Sequence, residues 1–202
     1  MKTKSILICG VGGQGILTAS DLLSDVLLRA GHQVKKSEVH GMSQRGGDVI
    51  STVRYGDEVF SPLPALGETD YILAFEKLEA LRNINYLSKK GIVLVNDFEW
   101  QPLPVAAGFE KYPQDVVERL KKLAGELVVI PATRLAAELG NDKASNVVLI
   151  GLLASRMDIG EALWLEVLRQ KVPPRFLDLN LRAFDAGYRF KARVPSAGTL
   201  RA

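Results

Sequence analysis

Two glycine-rich segments carry the residue types that could hold an anion. The first is Gly10-Val11-Gly12-Gly13-Gln14-Gly15, in which Gly10, Gly12 and Gly15 fit a G-x-G-x-x-G spacing. It follows an apolar run and precedes a helical pattern, a context in which backbone N–H groups and a helix dipole favour phosphate. The second runs from Glu38 to Asp48 and contains His40, Gly41, Met42, Ser43, Gln44, Arg45, Gly46 and Gly47. Gly41, Gly46 and Gly47 let the backbone take positive φ and turn N–H groups toward a ligand, and Arg45 offers a planar fork suited to carboxylate or phosphate. Ser43 and Gln44 add neutral donors. The plainer alternatives are a tight strand-to-helix turn for the first segment and a surface loop with a solvated arginine for the second.

A dinucleotide site asks for more than the glycines. It needs an acidic residue closing the second strand, about 20 residues on, to hold the ribose hydroxyls. Here that strand ends in Lys35-Lys36-Ser37 with Glu38 beyond it, and Gln14 puts a bulky amide inside the turn. Both departures count against nicotinamide or flavin and leave contact with another anion, or with a partner's backbone, in place. His32 and His40 are the only histidines, and neither sits with carboxylates at metal-ligand spacing, so no metal site is expected. His32 reads as a surface residue, and His40 as a candidate for a functional hydrogen bond. There is no Gly-x-Ser-x-Gly elbow, and the Gly10–Gly15 turn lacks the Lys-Ser/Thr ending of a P-loop. Asp97 and Glu99 follow an apolar run but have no partner acid or base, and no residue is assigned a catalytic role.

The elements that must position these segments follow from periodicity. Ile6 to Cys9 reads as a short buried strand, and Ile16, Leu17, Leu22, Leu23, Val26, Leu27 and Ala30 recur at helical spacing until Gly31. A second strand is expected over Gln33 to Glu38. Asp48 to Tyr55 alternates and is rich in β-branched residues, and Tyr55-Gly56-Asp57-Glu58 supplies turn chemistry before Val59-Phe60, which predicts a hairpin there. Further buried strands are expected at Tyr71–Phe75, Ile92–Val95 and Val128–Ile130, with helices at Lys77–Leu87, Glu161–Arg169 and Arg175–Gly187. Val147 to Ala154 is too continuously apolar for a surface helix and must lie inside or against a partner. Buried strands alternating with amphipathic helices predict an α/β class: a Rossmann-like, three-layer α/β/α sandwich on a mixed, mostly parallel sheet with a hairpin.

Bulk properties narrow the class further. At 202 residues the chain is sized for one domain. Hydrophobic residues make up 47% and charged residues 24%, values that argue against disorder, and no apolar run nears the roughly 20 residues of a membrane span. Met1 to Cys9 is too quickly ended by glycine for a signal peptide, so a cytoplasmic location is expected. The one cysteine, Cys9, excludes an internal disulfide, a multi-thiolate zinc site and an iron–sulfur cluster held by four thiolates of this chain. Any redox centre must belong to another chain or to a bound cofactor. Within the formal +3, residues 182–202 hold five basic residues against Asp185 alone, so the remainder sums to −1 and offers no footprint for nucleic acid. Residues 191–202 are expected to form a basic, disordered tail, a solvated end or a docking arm.

Gly10-Val-Gly-Gly-Gln-Gly-Ile-Leu-Thr-Ala-Ser20, Ser37-Glu-Val-His-Gly-Met-Ser-Gln-Arg-Gly-Gly47, Val53-Arg54, Ala74-Phe75-Glu76 and Glu79-Ala80-Leu81 together resemble one family. It is the gamma-type domain of the 2-oxoacid:ferredoxin oxidoreductases, and the form of the second segment is most similar to the indolepyruvate branch. The resemblance runs from Ser5 to about Gly187 and makes residues 1–190 a single pyruvate/ketoisovalerate oxidoreductase gamma-type domain. It implies a complex that oxidatively decarboxylates an aryl 2-oxoacid, transfers the acyl group to coenzyme A and passes electrons to ferredoxin. It also implies that thiamine diphosphate, Mg2+ and the iron–sulfur clusters are held by a larger alpha subunit, and that this chain binds no cofactor itself. Gly10, Gly12, Gly13, Gln14 and Gly15, with His40, Gly41, Ser43, Gln44, Arg45, Gly46 and Gly47, would then contact ligand or partner, Arg45 closing on coenzyme A or the oxoacid. Alternatives are a gamma subunit acting on pyruvate, a branched-chain oxoacid or 2-oxoglutarate, an autonomous NAD- or FAD-binding oxidoreductase, and a non-enzymatic interaction module.

Overall fold

In a computed structural model, residues 2–40, 47–101, 105, 108–109 and 111–191 are described. Six strands form one sheet: β1 (Lys4–Val11), β2 (Gln33–His40), β3 (Asp48–Gly56), β4 (Thr69–Ala74), β5 (Leu87–Asn96) and β6 (Glu126–Ile130), in the order β2-β3-β1-β4-β5-β6. β3 runs antiparallel to both β2 and β1, whereas β1, β4, β5 and β6 are parallel neighbours. Seven α-helices are described: α1 (Ile16–Arg29), α2 (Lys77–Arg82), α3 (Val116–Leu123), α4 (Ala132–Glu138), α5 (Ser145–Ala154), α6 (Glu161–Lys171) and α7 (Pro174–Tyr188).

Alternation along the parallel strands sorts their side chains into two cores, as period-two geometry requires. Ile6, Ile8, Leu73, Phe75 and Leu94 pack with α1, α5, α6 and α7 on one face. Leu7, Cys9, Ile72, Ala74, Val93 and Val95 pack with α2, α3 and Tyr112 on the other. The expected three-layer α/β/α sandwich on a mixed sheet is the observed one. No described helix is long and apolar enough to cross a membrane.

The apolar segment expected to be internal forms α5, in which every residue from Val147 to Ala154 is buried. α7 covers it at very short range. A Cβ at Gly187 would stand 1.8 Å from the Val148 carbonyl oxygen, and one at Gly151 would stand 2.2 Å from that of Phe184. Two glycines thus set how closely these helix backbones approach.

Four details differ from the sequence expectation. The hairpin is one element earlier: β3 pairs back onto β2, from His40↔Val49 to Gln33↔Gly56, and Val59-Phe60 forms no strand. Alternation marks Asp48–Tyr55 as a strand, but it cannot say which flanking segment pairs with it. The second strand runs on through Glu38 to His40, because β2 is an edge strand and tolerates polar residues there. The helix begun at Lys77 stops at Arg82, where the Asn83 side chain bonds the Glu79 carbonyl oxygen at 2.9 Å, and a 3-10 turn at Ile84–Tyr86 leads into β5. Helices α3 and α4 were not anticipated. The tail at 192–202 lies outside the described residues.

Candidate functional site

The Gly10–Gly15 turn leaves β1 at the carboxyl edge of the parallel strands. β1 is also where chain order reverses across the sheet, since β3 and β2 lie to one side and β4, β5 and β6 to the other. Such a crevice is the usual ligand position in open α/β sheets. Gly13 (φ 102°) and Gly15 (φ 83°) adopt the left-handed region, which side-chain-bearing residues rarely enter. Gly15 is the N-cap of α1, and neither a capping side chain nor a first-turn acid occupies the N-terminus of that helix.

Gln14 is the keystone of the turn. Its Oε1 accepts from Val11 N at 2.7 Å, and its Nε2 donates to the Phe75 carbonyl at 3.3 Å. A primary amide has the donor and acceptor of a peptide unit. It therefore extends the β1–β4 ladder one step beyond the last backbone bond, Phe75 N to Cys9 O at 2.8 Å. Gly10 leaves the space for this, since a Cβ there would stand 2.6 Å from Gln14 Oε1 and 2.8 Å from the Phe75 Cβ. The amide that looked out of place in a dinucleotide turn is structural.

The second glycine segment begins at the end of β2 and returns at Gly47, whose carbonyl accepts from Gly12 N at 2.9 Å. The two segments therefore meet, with Val11 opposite Asp48 in register. Gly41, Ser43, Gln44, Arg45 and Gly46 lie outside the described residues, as does the His40 side chain. Glu38, the remaining candidate for a ribose anchor, sits on β2 with β3 between it and β1. At about 4.8 Å per strand that places it roughly 10 Å to the side. Its carboxylate pairs with Lys36 at 2.7 Å. Topology, more than residue type, removes the dinucleotide geometry.

A cleft of about 410 Å³ opens beside Gly13, Gln14 and Gly15. One wall is Phe98 and Trp100, whose ring centroids are 6.3 Å apart. The other is Thr133 with Lys143, Ser145 and Asn146, at the start of α4 and α5. Asn146 packs against the turn so closely that a Cβ at Gly15 would stand 2.7 Å from its Nδ2. Asp142 lines the same wall beside Lys143, so the cleft sets aromatic faces opposite a mixed polar wall with amide, hydroxyl and ammonium donors and one carboxylate, a combination suited to a ligand with a flat ring and polar groups.

Buried polar residues hold these walls. Asn96, 2% exposed at the end of β5, donates to the Phe75 carbonyl (3.2 Å) and to Thr133 Oγ1 (2.8 Å), and accepts from Thr133 N (3.3 Å). Glu76, 1% exposed, accepts from Glu79 N (2.9 Å), Trp100 N (3.3 Å) and the Tyr112 hydroxyl (2.5 Å). Burial pushes the Tyr112 phenol far above its ordinary range, with the Glu76 hydrogen bond and charge adding to it, so the hydroxyl remains a donor. Burial likewise raises the Glu79 carboxyl, which Arg82 beside it partly offsets. Asp97 and Glu99, which the sequence left without a partner acid or base, both pair with Lys77 Nζ, at 3.2 and 2.7 Å, and so brace the aromatic wall from outside. Sequence reasoning missed Phe98, Trp100, Thr133, Lys143 and Asn146. The available signal was a polar residue, Asn96, directly after the apolar run Ile92–Val95.

Cys9 is wholly buried, and burial, followed by the charges of Glu79 and Glu76, raises its thiol well above the ordinary value. One protonated core thiol does not fit an iron–sulfur cluster, which needs four thiolates. Among the described residues no group of three or more His, Cys, Asp or Glu could hold a metal ion.

Comparison with known proteins places the chain. Residues 5–190 match the family described as pyruvate ferredoxin/flavodoxin oxidoreductase. The chain is similar to indolepyruvate oxidoreductase subunit IorB of Thermococcus kodakarensis, at 45% identity covering 93% of this chain and 95% of that one. The protein of that name from Pyrococcus horikoshii matches with the same identity and coverage. Among solved structures, pyruvate oxidoreductase subunit PORC from Thermotoga maritima shares the fold with a TM-score of 0.70 and 24% identity, over 93% of this chain and 96% of that one. The chain belongs to the pyruvate ferredoxin/flavodoxin oxidoreductase family.

Proposed function

We propose that this chain is the small subunit of a 2-oxoacid:ferredoxin oxidoreductase acting on indolepyruvate, and that the carboxyl edge of its sheet completes a site whose chemistry is held by a larger partner. The substrate assignment rests on the 45% identity to indolepyruvate oxidoreductase subunits across nearly the whole length of both chains. The observation that carries the site is the junction of the two glycine segments at Gly12 and Gly47, beside an open cleft. On this reading the larger subunit holds thiamine diphosphate, Mg2+ and the iron–sulfur clusters, and passes electrons to ferredoxin. Residues 1–190 act as one domain.

This chain's own residues bind and orient. Gly10, Gly12, Gly13, Gln14 and Gly15 shape the turn, and His40, Gly41, Ser43, Gln44, Arg45, Gly46 and Gly47 supply donors from the β2–β3 connection. Arg45, on the segment that joins β2 to β3, provides the guanidinium that closes on an anionic group of coenzyme A or of the oxoacid. An isolated nucleotide-binding oxidoreductase is the rival, and the separation of Glu38 from the turn argues against it.

Co-expression with a candidate larger subunit, followed by purification, cofactor analysis and assay with indolepyruvate, pyruvate, 2-oxoisovalerate and 2-oxoglutarate, tests the proposal. The expected result is a stable heteromer carrying thiamine diphosphate that prefers indolepyruvate. A lone chain that binds NAD or FAD tightly in calorimetry contradicts it.

A further inference from the structure

A second concave surface lies at the opposite edge of the sheet, where the parallel strands begin. Lys4 opens β1 and Val11 closes it, so at about 3.3 Å per residue this edge stands roughly 23 Å from the glycine turns. The hollow has a volume of about 710 Å³, and Lys2, Lys4, Arg54, Lys89 and Lys90 line it.

Its charge is largely uncompensated. None of the four lysines makes an ion pair with a described residue. The carboxylates in the hollow, Asp70 and Glu68, accept instead from Ser5 N at 2.8 Å and Ala65 N at 3.3 Å. Arg54 is structural: Nε donates to Ser5 Oγ at 3.1 Å, and Nη1 to the carbonyls of Ser61 (3.2 Å) and Leu63 (3.1 Å). Those bonds fasten the 57–68 loop to the rim of the hollow. On that loop Phe60, Leu63 and Leu66 are 81%, 56% and 67% exposed. Phe60 is itself held, its carbonyl accepting from Lys35 Nζ at 3.1 Å.

Clustered lysine charges repel one another, and three large apolar side chains in water forgo their burial energy. A single occupant relieves both costs only if it brings carboxylates and apolar side chains together. A small anion would neutralise the lysines and leave Phe60, Leu63 and Leu66 wet. An apolar core beside a charged rim is the anatomy of a protein interface.

We propose that this hollow and its apolar rim dock an acidic segment of the larger partner subunit, one that carries Asp or Glu together with aliphatic or aromatic side chains. The inference rests on the heteromeric reading above and adds a contact remote from the shared site. It separates the work of the two sheet edges: the carboxyl edge meets the ligand, and the amino edge anchors the subunit.

The test uses full-length chain and full-length partner subunit. Association is measured by biolayer interferometry at several salt concentrations for wild type, for the combined Lys2→Glu, Lys4→Glu, Lys89→Glu and Lys90→Glu variant, and for Phe60→Ser with Leu66→Ser. Amine acylation read by mass spectrometry compares lysine reactivity in the free chain and in the complex. Both variants are expected to raise Kd at least tenfold, the charge reversal to flatten the salt dependence, and the four lysines to be shielded in the complex. Circular dichroism and urea unfolding confirm that both variants are folded. Unchanged Kd with four equally reactive lysines overturns the proposal and leaves the heteromeric reading standing. Saturation of the hollow by pyrophosphate, with no shielding by the partner, assigns it to a small anion and also overturns the proposal. A wild-type chain that does not associate with the partner at all overturns both.

Discussion

Replacing Gln14 tests whether a side-chain amide holds the turn on which the site is built. In Gln14→Ala the Val11 N–H loses its acceptor at 2.7 Å. Val11 is 6% exposed, so the orphaned donor costs about 1–3 kcal/mol. The Phe75 carbonyl loses a longer bond of 3.3 Å but keeps the one from Asn96 at 3.2 Å, so that loss is at most about 0.5–1 kcal/mol. Gln14 is only half-buried, which admits water and favours the lower part of the range. The total is roughly 2 kcal/mol, or a fall in Tm of about 4–8 °C for a chain of this size. Gln14→Glu sharpens the test, because a carboxylate still accepts from Val11 N but presents an acceptor to the Phe75 carbonyl. Protonation restores a donor, so the Glu variant should approach wild type at mildly acidic pH and fall below it at neutral pH, while the Ala variant keeps its deficit at both. Urea unfolding followed by circular dichroism at the two pH values reads this directly. A Gln14→Ala variant within about 0.5 kcal/mol of wild type, or Ala and Glu variants with the same pH profile, refutes the ladder-extension account.

Other predictions follow from close packing and from buried groups. Gly187→Ala places a methyl 1.8 Å from the Val148 carbonyl oxygen, and the backbone clash should outweigh the roughly 1 kcal/mol gained in helix propensity, leaving a net loss of about 2–3 kcal/mol in urea unfolding. Cys9 is buried and its thiol raised, so iodoacetamide should label it only once urea unfolds the protein, with mass spectrometry reading the extent. Burial raises the Glu79 carboxyl above its ordinary 4.5, so the folded state holds this proton over a pH range in which the unfolded chain has released it. Stability from this group therefore declines as pH rises from about 4.5 to the raised folded value and is flat above it. Subtracting the Glu79→Gln unfolding curve from that of wild type across this range should reveal the decline, and identical pH profiles would count against it.

The layered fold was legible because buried runs such as Ile6–Cys9 and Ile92–Val95 alternate with helical periodicity, and period fixes element type. Pairing was not, because alternation in Asp48–Tyr55 is the same whether the strand turns forward to Val59 or back to His40. The glycine segments stood out by composition, but the hydrogen bond from Gly12 N to the Gly47 carbonyl that joins them needed the fold. The cleft's two walls did not stand out, because Trp100 on one and Lys143 and Asn146 on the other are distant in sequence and share no spacing. The hydrogen-bonding role of Gln14 was hidden for a related reason. Its partners, Val11 and Phe75, lie on two strands whose adjacency only the fold supplies.

The most direct test of the central claim is steady-state kinetics of the reconstituted complex with Arg45→Ala, varying indolepyruvate and coenzyme A separately. Losing a charge-assisted hydrogen bond of about 1.5–3 kcal/mol predicts a KM for one of the two raised roughly 10- to 100-fold, with assembly of the complex unchanged. Wild-type KM values for both would contradict the claim that this chain completes its partner's site.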